Sequence, residues 1–428
     1  MGCVRKILHI PRDAIRAVRE TCGSAWYRRT VFPRVAKRIR AAGRVRVVFL
    51  VMDPAMWKYA SFYSELERSG IFDPVVVSAM NPELCRSREQ LIAEQERIRR
   101  FCKDNGYAFV EGYDEAEGRW IDLRSLRPDL VFYAQPYRGA VVGAWYPWKM
   151  SYALPCFVPY SLSVNGNPVT TRLSTCAWKI FLPSRFHRDD ALRRGAASDF
   201  NAVSCGYPFE EKLLGVREEE ALAAWPAEKT AGRKRIIWAP HHSVGVRSAN
   251  CYVSSAFCEI CDFMKELAVK YADRITIAFK PHPVLRSRLD ELWGCEATDA
   301  YYRFWEESGN TFVAEGEYAA LFAGSDALIH DCGSFTAEYM YTGKPALYVF
   351  RKDRRAVENE FGRRALAAHY SAHESADIEA FVENVVLAGV DGMRAERESF
   401  RSGCLDCGSE APSKRMVSEI IKTLGLNA

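Results

Sequence analysis

Short runs of β-branched and aromatic residues alternate with longer charged stretches along most of the chain after residue 44. Such alternation is typical of βα units, in which each buried strand of a parallel sheet is followed by a covering helix. The first series of predicted strands is 45–51, 74–78, 107–110, 129–134, 156–159, 178–182 and 202–205. The second series is 235–239, 274–280, 311–314, 326–330 and 345–350. The sequence therefore predicts an α/β protein with two doubly wound, Rossmann-like domains facing across a cleft.

The two series are separated by residues 209–234, which are rich in charge and carry no strand pattern. A chain of 428 residues is also too long for one compact core. We therefore predict four parts: a basic amphipathic segment at 1–43, a Rossmann-like domain at 44–208, a linker at 209–234 and a second Rossmann-like domain at 235–428.

The net charge of +5 conceals a strongly basic N-terminus. Residues 1–46 contain thirteen Lys and Arg side chains against Asp13 and Glu20, a local net charge of +11. Apolar residues are interleaved with these cations at helical spacing: Trp26, Tyr27, Val31, Phe32, Val35 and Ile39. This pattern is typical of a segment lying on an anionic membrane surface, and we predict no nucleic acid partner. The alternative is that the apolar residues pack on the first domain and leave only a basic surface.

Fourteen cysteines are scattered along the chain, as is usual for reduced thiols in a reducing compartment. No uncharged apolar run reaches the ~18 residues that a spanning helix needs, and residues 1–20 lack the pattern of a secretory signal. We therefore predict a cytoplasmic protein, peripheral on the inner face of the cell membrane. Two CxxC pairs, Cys258/Cys261 and Cys404/Cys407, have a spacing that zinc ligands use, but the first lies in a helical pattern, and we predict no metal site.

Unusual polar residues follow the predicted strands of the second half. Ligands of doubly wound domains bind at the carboxyl ends of strands, so a site is expected in these loops. The loops contain His241, His242 and Ser243 after the first strand, Lys280 and His282 after the second, Glu315, Glu317 and Tyr318 after the third, and Asp331, Gly333 and Ser334 after the fourth. A single histidine after a strand is commonly structural, but several histidines and a lysine converging on one crevice predict an anionic ligand.

The turn at Gly333 and Ser334 joins a predicted strand to a predicted helix at 334–342. N–H groups at a helix start bind phosphate, and Ser334 either donates its hydroxyl to a phosphate oxygen or only caps the helix. Glu338 lies one turn further along and would accept hydrogen bonds from ribose hydroxyls if it faces the crevice. Otherwise it is an ordinary exposed helix charge. The turn therefore predicts a nucleotide phosphate site.

Several segments resemble the CDP-glycerol:glycerophosphotransferase family, whose GT-B-fold members build teichoic-acid and capsule-like polyol-phosphate polymers. The segments are WAPHHS at 238–243, FKPHP at 279–283, SDALIHDCGSFTAEYMYTGKP at 325–345 and DCGSEAPSKRMVSEII at 406–421. The resemblance covers the second half well and the first half thinly, through CGYP at 205–208. It implies a GT-B-like fold with an acceptor domain at 44–208 and a nucleotide-donor domain at 235–428.

The resemblance also implies that His282 contacts the diphosphate of an activated donor. It carries Asp331, Ser334 and Glu338 into the same donor site, where Glu338 replaces the family's usual aspartate. The remaining residues expected to line that site are His241, Ser243, Lys280 and Gly333. The family's His-Gly-Thr motif, thought to supply the catalytic base, has no counterpart in CFVPYSLSVNGN at 156–167. By residue type the evident candidates for the base are His241 and His242, and we favour His242.

The expected activity is the transfer of a polyol phosphate, glycerol phosphate foremost, from a CDP-activated donor to a glycan or lipid-linked acceptor in cell-surface polysaccharide synthesis. No acidic metal-binding pair is evident, so neither a metal nor a cofactor is expected beyond the nucleotide-diphosphate donor. Because the GT-B diphosphate site is generic, a nucleotide-sugar glycosyltransferase or a sugar epimerase is an alternative. A non-catalytic binding module is a second one, disfavoured by the joint presence of His282, Asp331, Ser334 and Glu338.

Overall fold

The computed structural model of the chain describes residues 23–82, 85, 87–137, 139–166, 169–245, 255–353, 357–405 and 409–426. It divides into two compact units. The first comprises Met1–Tyr160, Pro168–Cys205 and Ser413–Ala428, and the second comprises Ser161–Asn167 and Gly206–Pro412. Each unit has its own parallel sheet.

The first unit is built on a seven-stranded sheet in the order β3-β2-β1-β6-β7-β8-β9, in which every neighbouring pair is parallel. The strands are β1 (Val45–Val51), β2 (Phe72–Ser78), β3 (Phe109–Val110), β6 (Leu130–Tyr133), β7 (Leu154–Phe157), β8 (Lys179–Leu182) and β9 (Ala202–Ser204). A separate antiparallel pair is formed by β4 (Tyr113–Asp114) and β5 (Arg119–Trp120). The run VRVVFLV of β1 is almost wholly buried, as a central strand covered on both faces requires.

The second unit contains a six-stranded sheet in the order β12-β11-β10-β13-β14-β15, again parallel throughout. Its strands are β10 (Lys234–Ala239), β11 (Ile275–Phe279), β12 (Thr311–Val313), β13 (Ala327–His330), β14 (Ala346–Val349) and β15 (Tyr370–Ala372). In chain order this is the 3-2-1-4-5-6 arrangement of doubly wound folds, whose ligands bind where the strand order reverses. Here the reversal falls between β10 and β13.

Helices follow most strands, as the alternating pattern predicts. In the first unit the α-helices are Phe32–Ala42, Ala60–Arg68, Arg88–Asp104, Thr171–Cys176, Arg185–Arg193 and Pro412–Leu424. In the second they are Glu210–Leu214, Glu218–Ala223, Ala227–Thr230, Phe257–Lys270, Leu285–Trp293, Cys295–Glu307, Ala319–Gly324, Phe335–Glu338, Glu360–Leu366, Ser375–Ala380 and Arg394–Phe400. Over the described residues, none of the helices is both long enough and apolar enough to span a bilayer.

The basic N-terminal segment is built into the first core from residue 27 onward. The buried apolar residues are Tyr27, Val31, Phe32, Val35 and Ile39. Arg38 binds Asp129 through two contacts to Oδ1, from Nη2 at 2.7 Å and from Nε at 3.1 Å. These five apolar side chains therefore pack on the first domain, which was the alternative to inserting into a membrane. Trp26 is 46% exposed, and residues 1–22 lie outside the described part of the chain.

The C-terminal helix Pro412–Leu424 also belongs to the first unit. Met416, Ile420 and Leu424 are fully buried in that core, and Arg40 Nη1 donates to the carbonyl of Leu424 at 3.0 Å. The sequence predicts one domain over 235–428, with the helix near 413–424 packing at the junction of the two domains. A return of the chain to the first core leaves no local signal in the sequence.

Residues 209–234, predicted as a linker, form three short helices that pack within the second unit. Trp225 Nε1 donates to the carbonyl of Leu321 at 3.2 Å, and Lys229 Nζ donates to that of Thr311 at 2.7 Å. The second unit therefore begins well before β10.

The segment Ser161–Asn167 separates from its sequence neighbours and docks on the second unit. Asn359 Nδ2 donates to the carbonyl of Ser163 at 2.8 Å. Gly362 makes this approach possible, because a Cβ there would lie 2.2 Å from the carbonyl oxygen of Val164. This segment, predicted as part of the domain at 44–208, therefore belongs to the second unit.

Candidate functional site

Three histidine side chains gather at the carboxyl-terminal edge of the second sheet. His241 and His242 follow β10 and His282 follows β11, and these neighbouring parallel strands pair Trp238 with Phe279. Ring centroids of His241 and His242 are 4.2 Å apart, and those of His242 and His282 are 4.1 Å apart. Strand register therefore brings together the three histidines that the sequence placed in one crevice.

Local hydrogen bonds determine which nitrogen carries the proton in two of these rings. Nδ1 of His241 accepts the backbone N–H of Ser243 at 3.2 Å, and Nδ1 of His282 accepts that of Val284 at 3.2 Å. An accepting ring nitrogen has no proton, so each neutral ring carries its proton on Nε2. Nδ1 of His242 is buried and has no hydrogen-bond partner among the described residues. The cluster therefore offers two Nε2–H donors and one uncommitted nitrogen.

Burial keeps the three rings uncharged. Desolvation, with repulsion from His242 added, lowers the pKa of His241 to about 3 and that of His282 to about 4. Burial and then the nearby Arg288 guanidinium also lower the pKa of His242. Near pH 7 the cluster therefore meets a ligand as neutral hydrogen-bonding groups rather than as imidazolium cations.

Asp331 is 5% exposed, and both of its carboxylate oxygens accept hydrogen bonds from the protein itself. Oδ1 accepts the N–H of His241 at 2.6 Å, and Oδ2 accepts the hydroxyl of Ser255 and the N–H of Ala256, both at 2.7 Å. Burial raises the pKa of Asp331 to about 6, although these donors act in the opposite direction. Where the sequence analysis placed Asp331 among donor-binding residues, the structure makes it the group that positions the backbone at His241.

Gly333 and Ser334 form the turn between β13 and the helix Phe335–Glu338. Ser334 occupies the N-cap, yet its side chain makes no capping hydrogen bond. Of the two roles considered for this hydroxyl, capping is therefore not the one that the structure shows. A Cβ at Gly333 would lie 3.8 Å from Asn165 Nδ2, so the docked segment Ser161–Asn167 reaches this turn.

Lys280 is 6% exposed and holds the loop after β12. Its Nζ donates to the carbonyl of Gly316 at 2.9 Å and to that of Ala314 at 3.3 Å. The ammonium also contributes to lowering the pKa of His282. Lys280 therefore acts on the cluster through its charge and through loop placement.

Glu338 is 1% exposed and lies between two tyrosines. Oε1 accepts the hydroxyl of Tyr207 at 2.9 Å, and Oε2 accepts the hydroxyl of Tyr318. Burial, followed by the charge of Glu338, raises the pKa of both tyrosines well above the ordinary value. Glu338 is therefore neither an exposed helix charge nor open to ribose hydroxyls in this structure.

Within the part of the chain that the structure describes, the one cluster spaced for a metal ion is His241, His242 and His282, whose candidate ligand atoms lie within 4.8 Å of one another. A metal needs unprotonated ring nitrogens, but Nδ1 of His241 and of His282 already accepts a backbone N–H. The nitrogens left over in those rings are protonated. The set therefore suits an anionic ligand better than a metal. Of the CxxC cysteines, Cys258 is exposed and Cys261 is buried.

A second histidine pair is buried at the end of β13. His330 and His369 are 1% and 4% exposed, with ring centroids 5.2 Å apart. Each Nδ1 contacts a backbone carbonyl, and neither Nε2 has a partner in the described ranges. Burial lowers the pKa of His369 to about 4 and that of His330 well below its ordinary value.

We expect the free energy of unfolding to fall as the pH is lowered from about 6.5 toward 4. Unfolded histidine takes up a proton near pH ~6.5, whereas folded His369 resists protonation down to about pH 4. The unfolded state therefore binds more protons between these pH values. For each such histidine, the free energy of unfolding falls by at most about 1.4 kcal/mol per pH unit as the pH is lowered. In urea titrations at several pH values, His369→Gln should lose less stability in acid than His373→Gln, which changes an exposed ring.

Asp331 opposes this trend, because its raised pKa favours the folded state as pH falls below about 6. That contribution is the same in both histidine variants and cancels in the comparison. Equal acid slopes in the two variants would contradict the assignment to His369.

Several residues of the site were not predicted from the sequence. They are Ser255, which holds Asp331, Tyr207, which together with Tyr318 holds Glu338, and Asn165 beside the Gly333 turn. Only Asn165, in the turn-forming run VNGN, carries a local signal. The other residues form hydrogen bonds with side chains that are distant in the sequence, so no local pattern indicates them.

No protein-family model matches the sequence, and comparison with curated proteins gives no match. Solved structures do match. The wall teichoic acid polymerase TagF aligns with a TM-score of 0.58 at 12% identity, covering 96% of this chain and 95% of that one. S. aureus MnaA, in a structure with UDP, aligns with a TM-score of 0.57 at 14% identity, covering 90% and 98%. UDP-GlcNAc 2-epimerase from Neisseria meningitidis, bound to UDP-GlcNAc, has a TM-score of 0.54 at 16% identity, covering 89% and 100%.

At these identities the likeness concerns the fold. The alignments span nearly the whole of both chains, and the two parallel sheets found here are the framework of a GT-B-type protein. The chain therefore has the two-domain, Rossmann-like α/β fold that the polymerase and the epimerases share.

Proposed function

We propose that this protein is a transferase that moves a polyol phosphate, glycerol phosphate foremost, from a CDP-activated donor to a glycan or lipid-linked acceptor in cell-surface polysaccharide synthesis. The observation that carries the proposal is the cluster of His241, His242 and His282 at the carboxyl edge of the second sheet. These histidines lie in the segments that resemble the glycerophosphotransferase family. The shared fold with TagF, a wall teichoic acid polymerase, supports the same assignment.

The donor diphosphate is the natural ligand for the two N–H donors of the cluster. His241 and His282 present Nε2–H groups while uncharged, because their Nδ1 atoms accept backbone hydrogen bonds. Neutral donors in a half-buried site stabilise negative charge without being protonated during the reaction. Ser243 keeps the ring of His241 in place through a hydroxyl contact of 2.8 Å to Nδ1.

In the proposed reaction an acceptor hydroxyl oxygen forms a bond to the phosphorus that bears the polyol. The bond between that phosphorus and the bridging diphosphate oxygen breaks, and CMP leaves with the bonding electrons. The hydroxyl proton passes to the ring of His242, the base favoured by residue type. The negative charge that grows on the CMP phosphate is met by the Nε2–H groups of His241 and His282. No metal or other cofactor is required.

A second candidate is a nucleotide-sugar enzyme, either a glycosyltransferase or an epimerase. It is favoured by the equally extensive fold match to UDP-GlcNAc 2-epimerases. Such an enzyme would bind its donor diphosphate at the same loops while reacting at a sugar carbon. The two candidates therefore differ in the nucleotide and in the bond that breaks.

We also propose that the enzyme works at an anionic membrane surface, where a lipid-linked acceptor is found. The support is electrostatic, because residues 1–46 carry a net charge of +11 and each cation near such a surface contributes about 1 kcal/mol. Tyr27, Val31, Phe32, Val35 and Ile39 of this segment are buried and add no insertion, whereas Trp26 is exposed. Attraction should therefore weaken with salt, which sedimentation with vesicles at low and high salt measures.

A donor panel tests the proposed function. We expect CDP-glycerol or CDP-ribitol to raise the melting temperature, because a ligand at about 100 times its Kd stabilises the folded state by about 2.7 kcal/mol. UDP-GlcNAc and CMP-sugars, tested at the same concentrations, should have little effect. Stabilisation by UDP-GlcNAc alone would contradict the proposal and favour the second candidate, and stabilisation by none would favour a non-catalytic module.

A further inference from the structure

The first unit contains an open cavity of about 540 Å³ that lies apart from the strand ends where ligands of α/β proteins bind. Arg28 and Arg29 line it from the N-terminal segment, and Ser174, Thr175 and Ser198 line it from the opposite side. The last three lie just before β8 and β9, at the amino-terminal edge of the first sheet. This cavity is used by no step of the proposed transfer reaction.

Both arginines face the cavity, and neither has a carboxylate partner among the residues that the structure describes. Arg28 has one hydrogen bond, from Nη2 to the hydroxyl of Ser198 at 2.6 Å, and Arg29 has no partner among the described residues. The carboxylate next to Ser198 is that of Asp199, and it is paired with Arg188 at 2.5 Å. Two guanidinium groups in one cavity therefore keep unused donors and uncompensated positive charge.

One of these guanidinium groups is held in position. Arg28 lies over the ring of Phe200, 4.6 Å from its centroid, and that ring stacks on buried Phe32. Because stacking and the bond to Ser198 fix its plane, Nη1 of Arg28 remains as a positioned donor for a phosphate oxygen. A preorganised arginine loses less side-chain entropy on binding than a free one.

Two exposed aromatic side chains accompany Arg28: Phe200, whose ring lies under its guanidinium group, and Trp26, two residues earlier in the chain. Trp26 is 46% and Phe200 is 44% exposed, and no other large hydrophobic side chain among the described residues of the first unit is comparably exposed. Aromatic rings beside arginines are the combination found at the level of lipid headgroups. These exposed rings near Arg28 suit a phosphate presented at a membrane as well as one in solution.

We propose that this cavity is a binding site for a phosphate group, with Arg28 and Arg29 as its ligands. The group belongs either to a lipid headgroup or to a soluble phosphate ester, since both present the same oxygens to the two guanidinium groups. The site is independent of the transfer chemistry, and its test needs no donor or acceptor.

The test compares two double variants of the full chain that remove equal charge. Arg28→Gln with Arg29→Gln changes the cavity, whereas Lys37→Gln with Arg44→Gln changes exposed cations of the same segment outside it. Calorimetric titration with inorganic phosphate should show saturable binding to the wild type and to the control. Affinity should fall at least tenfold in the cavity variant. Absence of saturable binding, or an equal loss in both variants, would overturn the proposal.

A second arm identifies the source of the phosphate group. Vesicles of phosphatidylcholine with 30% phosphatidylglycerol are sedimented with each protein, with and without competing inorganic phosphate. Binding lost in the cavity variant and weakened by phosphate supports a lipid headgroup. Equal vesicle binding by the two variants, together with phosphate binding in solution, supports a soluble ester. Arg29→Gln alone, which alters an exposed side chain, should lower phosphate affinity with an unchanged melting temperature, and an unchanged affinity would count against the site.

Discussion

His282→Ala is expected to lower the rate of polyol-phosphate transfer by at least about a hundredfold while leaving the fold intact. Its Nε2–H is proposed to meet the charge that grows on the leaving phosphate, and removing one such donor costs about 2 to 3 kcal/mol of transition-state stabilisation. The ring is half-buried and its one structural hydrogen bond is accepted from Val284. Steady-state rates with CDP-glycerol, together with melting curves, measure both parts of the expectation.

Two control variants test whether the loss of activity comes from the N–H donor of His282. His282→Gln can retain an N–H donor and should recover part of the activity, and His373→Ala, at an exposed position of the same unit, should leave the rate unchanged. A His282→Ala protein that melts normally and keeps more than half of the wild-type rate would show that the donor site is elsewhere.

His242→Ala should lower kcat by about a hundredfold to ten-thousandfold, the range for removal of a general base. Burial lowers the pKa of His242 below its ordinary value, so the ring is neutral at pH 7 and able to accept a proton. The wild-type rate should therefore be constant above about pH 6.5 and fall in acid as His242 gains a proton. The variant should lose this acid limb.

The pH profile distinguishes a base from a residue that only supports the cluster. His241→Ala removes a neighbouring ring but should keep an acid limb, because His242 still titrates. It should also shift that limb to higher pH, because removing the neighbouring ring lessens the burial that lowers the pKa of His242. An acid limb that persists unchanged in His242→Ala would contradict its assignment as the base.

Most of the framework followed from the sequence because local pattern decides it. The predicted strand at 45–51 coincides with β1, and the predicted strand at 326–330 overlaps β13. Short β-branched runs between charged helical stretches are typical of buried strands, so the pattern alone indicates them. The convergence of His241 and His282 followed from the same rule, because adjacent parallel strands end at one edge. β15 (Tyr370–Ala372) was missed, being three residues long and only partly apolar.

What the sequence could not reveal is set by contacts between distant residues. The C-terminal helix packs in the first core, and the segment Ser161–Asn167 docks on the second unit, both through long-range burial that no local pattern encodes. The same holds for Glu338, whose residue type suits a ligand contact until Tyr207 and Tyr318 are seen to occupy both oxygens. Residue type predicted the place of the site better than the role of each side chain.

The identity of the released nucleotide tests the central claim most directly. The purified protein is incubated with CDP-glycerol and a lipid-linked or glycan acceptor, and in parallel with UDP-GlcNAc, and the nucleotide products are separated by chromatography. Transfer of a polyol phosphate breaks the diphosphate bond, so the account predicts acceptor-dependent release of CMP from CDP-glycerol and none in the His282→Ala protein. Release of UDP from UDP-GlcNAc, or conversion of that sugar with no reaction of CDP-glycerol, would contradict it.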